Sequence, residues 1–334
     1  MSELKDAGVM IRLAFQALVK AKVDIPLLLS KLGIDESYLQ AAHLRTPHDA
    51  QPFFWSVLEE QTADPDIGLH LGQHLPVFKG QVIEYLFLSS PTFGDGLRRA
   101  LSYQRLISDA ADSNLVVEDD SCFLQVITAS GGAKRIRHFN ECFSQGMIAF
   151  FKSITDDAFV PTRLEFDHQA PENVDEVKRV FGCDVTFGCA ENRLYFDTAL
   201  LEHRSPHAEP ELLALHEQFA SEQVARIEKE DVVVQVNRVI AELLDSGEVT
   251  LETVAERLAI KPRSLRTKLS DIDTNFNQLL TDFRYNLSRR LLAKTSETID
   301  EIVYLTGFSE PSTFYRAFKR WSGMTPIEYR KSKQ

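Results

Sequence analysis

Apolar positions recur at helical spacing through the first 75 or so residues. Ile11, Leu13, Phe15, Leu18 and Val19 mark one amphipathic helix in MIRLAFQALVKA, because side chains three and four positions apart share a helix face. IPLLLSKLGIDESYLQAA predicts a further helix that stops at Gly33 and restarts, since glycine readily takes the left-handed conformation that ends a helix. The segment from Phe53 to Leu71 continues the pattern. From about 80 to 200 the periods mix. SSPTFGDGLRRALSYQRLI predicts a helix opened at Pro91-Thr92. LVVEDDSCFLQVITAS predicts a hairpin with an acidic turn. RHFNECFSQGMIAFFKSI predicts an apolar helix, and PTRLEFDH, DVTFG and NRLYFD predict short strands. A polar connection over 203–230, containing one helix, leads to a boundary near 225–232. Beyond it nothing competes with helix. The expectation is an α+β domain over 1–228 and an all-α domain over 232–334.

The all-α part contains a repeat. LETVAERLAIKPRSLRTKL (251–269) and TIDEIVYLTGFSEPSTFYRAFKRW (298–321) each read as helix, short break, helix. Val254, Ala255 and Leu258 pair with Ile302, Val303 and Thr306, and Ala259-Ile260 with Gly307-Phe308. Leu265 and Leu269 pair with Phe314 and Phe318, after one extra residue in the second copy. A small residue lets the chain turn tightly, and the apolar residue after it plugs the space between the helices. That is helix-turn-helix logic. FNQLLTDFRYNLSRRLLAKT (276–295) keeps helical apolar spacing between the copies. At 1.5 Å per residue it spans roughly 30 Å, close to the turn of about 34 Å that separates successive major-groove faces of a duplex.

Charge supports this reading only when it is divided along the chain. The whole chain carries a formal −12, which taken alone argues against a nucleic-acid partner. Residues 231–334 hold 16 Lys+Arg against 14 Asp+Glu, whereas 1–230 hold 21 against 35. Arg263, Arg266 and Lys268 lie in one second helix with no acid among them, and Arg316, Lys319 and Arg320 in the other. A DNA binder needs a local positive face rather than a positive total. Arg pairs bidentately with guanine, and Ser and Thr adapt to several base edges.

Residues 247–331 resemble the AraC/XylS family of transcription regulators. The match is carried by TIDEIVYLTGFSEPSTFYRAFKRWSGMTPIEYRK (298–331), through Ile302, Gly307, Phe308, Ser309, Phe314, Arg316, Phe318, Lys319, Gly323, Pro326, Tyr329 and Arg330. The resemblance implies that Arg263, Arg266 and Thr267 face DNA from the first unit, and Ser312, Thr313, Tyr315 and Arg316 from the second; Ser264, beside Arg263, is a further DNA-binding candidate. Lys268, Lys319 and Arg320 are expected on phosphates, which add affinity without sequence choice. Arg284 fits the family pattern of the connecting helix in a structural role. Val303 and Ser288 stand where the family usually has Ala, and Thr306 where it has Leu. Lys261 stands where a Ser usually caps the first reading helix, a change that weakens the helix start by about 1 kcal/mol. Segments 80–109 and 161–203 resemble, more weakly, the arabinose-binding-like sensor domain of regulators of ornithine utilisation. That resemblance implies effector sensing and dimerisation by 1–228. The expected partners are promoter DNA, RNA polymerase, a small-molecule effector and a second copy of the chain.

Other chemistry finds little support. There is no run of eighteen apolar residues and no secretory pattern at MSELKDAGVMIRLAF, so the expected location is the cytoplasm, with no membrane partner. Cys122, Cys142, Cys183 and Cys189 are too few for a disulfide scaffold and read as reduced, buried thiols. His70 and His74 share a helix face but lack the Glu of a zinc-protease motif. His138, Glu141 and Cys142 follow no pattern. No catalytic, metal or cofactor site is expected, which disfavours an enzyme with a DNA-binding tail. The basic residues disfavour a repeat that binds only protein. Phe87, Phe93, Phe123, Phe139, Phe143, Phe150 and Phe151 are core candidates that also supply lining for an apolar effector pocket. That supply suits an apolar effector with a small polar head.

Overall fold

The chain's computed structural model describes residues 4–41, 44–118, 121–128, 136–244, 249–295 and 297–333. These divide into two compact units, 3–224 and 225–334.

Unit 1 is built in two layers. The helical layer holds α1 (Gly8–Lys20), α2 (Ile25–Leu32), α3 (Glu36–Gln40), α4 (Gln51–Thr62) and α5 (Ile67–Gly72). Short strands β1 (Lys5–Ala7) and β2 (Arg45–Pro47) pair antiparallel beside it. Neither strand shows in the sequence periodicity, because three residues are too few to show alternation. The second layer is a five-stranded sheet: β3 (Ala111–Glu118), β4 (Ser121–Thr128), β5 (Pro161–Glu165), β6 (Asp184–Thr186) and β7 (Asn192–Phe196), in the order β3-β4-β7-β5-β6. Only β5 and β6 run parallel, joined through α9 (Val174–Phe181) as a parallel connection requires. The β3–β4 turn falls at residues 119–120, outside the described set. Helices α6 (Val82–Ser89) and α7 (Phe93–Ser102) complete this layer. Thr92 caps α7 by accepting from the Asp95 N–H.

The helix α8 (Arg137–Ile154) serves both layers. Cys142 belongs to the core among α1, α2, α4 and α5, whereas Ile148, Phe150 and Phe151 belong to the core against the sheet. Close approach to α5 depends on glycine. A Cβ on Gly68 would lie 2.3 Å from the His138 Cα, so any side chain there forces backbone apart. Of the seven phenylalanines considered for a pocket, Phe87, Phe93 and Phe151 sit in the sheet core, and Phe123 packs on Tyr195.

Past the sheet, α10 (Pro210–Leu243) runs without a break, where the sequence suggested a shorter helix and a boundary. No Gly or Pro interrupts residues 211–243, so nothing local stops it. Unit 2 continues as α11 (Leu251–Arg257), α12 (Pro262–Ser270), α13 (Phe276–Lys294), α14 (Ile299–Leu305), α15 (Pro311–Ser322) and α16 (Pro326–Lys333). No described helix is long and apolar enough to cross a membrane.

Glu141 and His168 meet in the interior of unit 1. The Glu141 side chain is fully buried, takes a 2.8 Å hydrogen bond from Arg137 Nε, and lies 3.7 Å from His168 Nε2. Burial outweighs the arginine and pushes the carboxyl up to about 7. Burial likewise drives His168 down to about 4. Between the ordinary 4.5 and about 7 the folded chain holds a Glu141 proton that the unfolded chain releases, so this group's contribution falls as pH rises. His168 acts oppositely, adding stability as pH rises from about 4 to its ordinary 6.5. Glu141→Gln is therefore expected to remove a falling slope of up to about 1.4 kcal/mol per pH unit. Urea denaturation of both proteins from pH 5 to 8 checks this; parallel curves would refute it.

Candidate nucleic-acid interface

The repeat seen in the sequence is reproduced bond for bond in the backbone. Thr250 and Thr298, 48 positions apart, cap α11 and α14, each in a reciprocal box with the residue three on, Thr253 or Glu301. At the turns, the Ala259 N–H reaches Glu256 O and the Ile260 N–H reaches Ala255 O. Gly307 to Tyr304 and Phe308 to Val303 repeat these bonds 48 residues later. Both turn residues are left-handed, with φ of 54° at Ala259 and 73° at Gly307.

The second helices then start alike, with Pro262 and Pro311 in their first turns. Proline there loses no helical hydrogen bond. Neither helix has a side-chain cap, with Lys261 and Glu310 at the cap positions. Leu265 and Leu269 turn α12 inward, and Phe314 and Phe318 turn α15 inward, all at most 1% exposed. These pairs are 49 apart, the extra residue lying in the second turn.

That inward register leaves the opposite faces free. Arg263, Ser264, Arg266, Thr267 and Lys268 are all exposed on α12. Ser312, Thr313, Arg316, Lys319 and Arg320 are exposed on α15. Tyr315 is half-buried and packs edge-on to Phe314. No Lys or Arg on α11 to α16 makes an ion pair among the described residues. The charges do not occupy matching positions in the two copies. The 49-residue register sets Arg263 against Ser312, Thr267 against Arg316, and exposed Lys268 against buried Ala317.

Helix α13 carries both units. Phe276 and Leu279 enter the core of α10, α11 and α12, while Leu292 enters the core of α14 and α15. Arg284 anchors the second turn: its Nη2 donates to Gly307 O at 2.7 Å, and its guanidinium lies 4.8 Å from the Phe308 ring centre. Burial lowers its affinity for a proton, yet arginine remains charged in proteins. Ser288 and Thr306, the unusual residues, are fully buried and bond back to the carbonyls of Arg284 and Ile302. Asn277 and Thr281, one turn apart on α13, line a groove with Thr313, Arg316 and Arg320. The apolar stripe of α13 does not point to them; their i, i+4 spacing is the signal they carry in the sequence.

Residues 23–205 match the arabinose-binding domain of AraC transcription regulators, N-terminal, and residues 254–332 match a helix-turn-helix domain. The chain belongs to the AraC-type transcription regulators. It is 29% identical over 276 residues to the ornithine utilization regulator of Pseudomonas aeruginosa, covering 80% of this chain and 79% of that one. It is 28% identical over 284 residues to an HTH-type transcriptional regulator of Mycobacterium bovis, covering 80% and 78%. The crystal structure of transcriptional regulator CdpR from Pseudomonas aeruginosa is similar at a TM-score of 0.47 and 19% identity, covering 96% of this chain and 98% of that one. In this AraC-type regulator the DNA-binding part is the tandem helix-turn-helix, and the N-terminal part is a ligand-binding domain.

The left-handed turns differ in cost. Ala259 pays a Cβ penalty that glycine avoids, of about 1 kcal/mol. Ala259→Gly is expected to stabilise the chain by roughly 0.5–1 kcal/mol. Gly307→Ala should destabilise by more than that, since its Cβ would also meet Leu244 at 3.0 Å and Arg284 at 3.2 Å. Urea midpoints of the two variants are the measure, and equal and opposite shifts would contradict the role given to Leu244 and Arg284.

Proposed function

We propose that this chain is a cytoplasmic regulator in which α12 and α15 read two adjacent stretches of promoter DNA. Residues 232–334 do the reading, and 1–228 adjust it on binding a small organic effector, apolar with a small polar head. The observation that carries the reading is the pair of exposed, cationic helix faces held outward by buried anchors at 265, 269, 314 and 318. Arg263, Arg266, Thr267, Ser312, Thr313 and Arg316 are the base readers, with Ser264 and Tyr315 in supporting contact. Lys268, Lys319 and Arg320 hold phosphates. The 19 residues of α13 give it a length of about 28 Å, which suits reading heads one duplex turn apart. Because the two faces differ residue by residue, the two stretches differ in sequence.

Two further partners follow. Leu212, Leu215 and Phe219 form an exposed apolar stripe on α10, and such a stripe supports self-association into a homodimer. A regulator fixed on promoter DNA acts through RNA polymerase, which is the expected macromolecular partner.

The test begins with duplexes selected from a randomised pool by the full chain. Arg263→Ala and Arg316→Ala should each weaken binding to the selected site by about 1–3 kcal/mol and relax one base preference apiece. Lys319→Ala should weaken all duplexes alike and reduce the salt dependence by about one phosphate contact. Unchanged binding in both arginine variants would remove the assigned readers. In sedimentation equilibrium, Leu215→Glu should shift the chain from dimer to monomer; a wild type monomeric at all concentrations would remove the second-copy partner.

A further inference from the structure

Unit 1 holds a partly open apolar cavity of about 160 Å³ between its two hydrophobic cores. Its walls come from α1, α4, α8 and the segments around Thr46 and Pro76. Among the seven phenylalanines singled out in the sequence, Phe139, Phe143 and Phe150 line it; Phe54, Trp55 and Phe78 were not foreseen. Native interiors are close-packed, and an unfilled apolar space costs stability. An engineered apolar cavity of about 150 Å³ stays dry and takes up benzene. The space here is on that scale.

The lining chemistry narrows the occupant. No Asp, Glu, Lys, Arg or His lines the cavity, so a charged group would be desolvated without a partner. The polar side chains on its wall include Thr46 and Gln51. Gln51 is already held: its Nε2 donates to Asp6 and its Oε1 accepts from Trp55 Nε1, both at 3.0 Å. Thr46 is 6% exposed, and its hydroxyl has no hydrogen-bond partner among the described residues. Its oxygen is not sealed in the interior but borders accessible space, where a ligand's polar group can pair with it. Gly146 of α8 also borders the space, where a Cβ would meet Leu75 Cδ1 at 3.2 Å.

We propose that this cavity is the effector site, and that it takes an uncharged molecule about one aromatic ring in size whose single hydroxyl or carbonyl pairs with Thr46. The word effector rests on the regulator reading above; the binding site and its ligand class do not. A cavity of this chemistry does not take a charged amino acid such as ornithine.

Isothermal titration of the full chain with p-cresol, toluene, benzoate and L-ornithine tests the ligand class, and Trp55 fluorescence reports occupancy. Expected is binding of p-cresol and toluene, with benzoate and ornithine about tenfold or more weaker. Thr46→Val should weaken p-cresol on the order of fivefold and leave toluene unchanged. Gly146→Leu should abolish both; Ala14→Phe, from α1, fills the same space should the glycine variant fail to fold. Benzoate binding as well as p-cresol, no binding by either neutral probe, or p-cresol binding that survives filling would overturn the proposal. Affinity for the selected duplex is measured in the same samples with and without p-cresol. Intact DNA binding without p-cresol binding sinks the cavity and spares the regulator. Absence of DNA binding both with and without p-cresol, in a chain that binds p-cresol, does the reverse, and p-cresol binding that leaves DNA affinity unchanged removes the effector role.

Discussion

Both reading units depend on one shared helix. Neither α11–α12 nor α14–α15 has enough apolar surface to close a core by itself, and α13 supplies the missing wall to each. Its first turns give Phe276 and Leu279 to one core, and its last turns give Leu292 to the other. Between them Arg284 reaches out to the turn carbonyl of Gly307 and lies against Phe308. The guanidinium is half-buried: Nη2 reaches that carbonyl, whereas Nε is buried without a partner among the described residues. The position of the second turn relative to α13 is thereby specified by a directional bond as well as by packing. Leu244, at the end of the helix entering the first unit, touches the same turn, so the second head is located from two directions.

The repeat conserves geometry and discards surface. Caps, turn hydrogen bonds, left-handed residues and first-turn prolines recur at a fixed offset. The outward residues do not: Arg263 faces the position of Ser312, and Thr267 that of Arg316. This is what a scaffold holding two different reading surfaces requires. Backbone bonds and buried anchors determine where a side chain points; the exposed residue determines what is read.

Much of this was legible in the chain, for a reason visible residue by residue. The long motif over 298–331 consists mostly of buried or turn positions: Ile302, Phe308, Phe314, Phe318 and Pro326 lie in the interior, and Gly307 and Gly323 have positive φ. Such positions tolerate few residue types, so they announce the fold. Helices with a clear apolar stripe, α1 and α8 among them, were equally plain. The strands β1 and β2 were too short to show a period, and α10 has so little amphipathic pattern that only the absence of breakers could have revealed its length. Asn277 and Thr281 carry only an i, i+4 spacing in the sequence, too weak to single them out until the fold brings Arg316 beside them. The sheet and cavity of unit 1 join residues far apart in sequence, as Met10, Thr46 and Phe143 show, and no local pattern encodes that meeting.

The placement of charge completes the argument. In unit 1 the arginines are largely committed to internal acids: Arg45 to Asp109, Arg99 to Glu217, Arg137 to Asp66 and Glu141, and Arg163 and Arg193 to Glu165. Those pairs offset much of the arginine charge within unit 1. On α12 and α15 the arginines and lysines have no such partners among the described residues. A polyanion therefore meets a chain that is acidic in total yet cationic on two helix faces. The acidic remainder opposes unspecific attachment elsewhere on the surface, because like charge repels the phosphate backbone. Excess negative charge in unit 1 and positive charge without ion pairs on α12 and α15 are thus compatible halves of one arrangement.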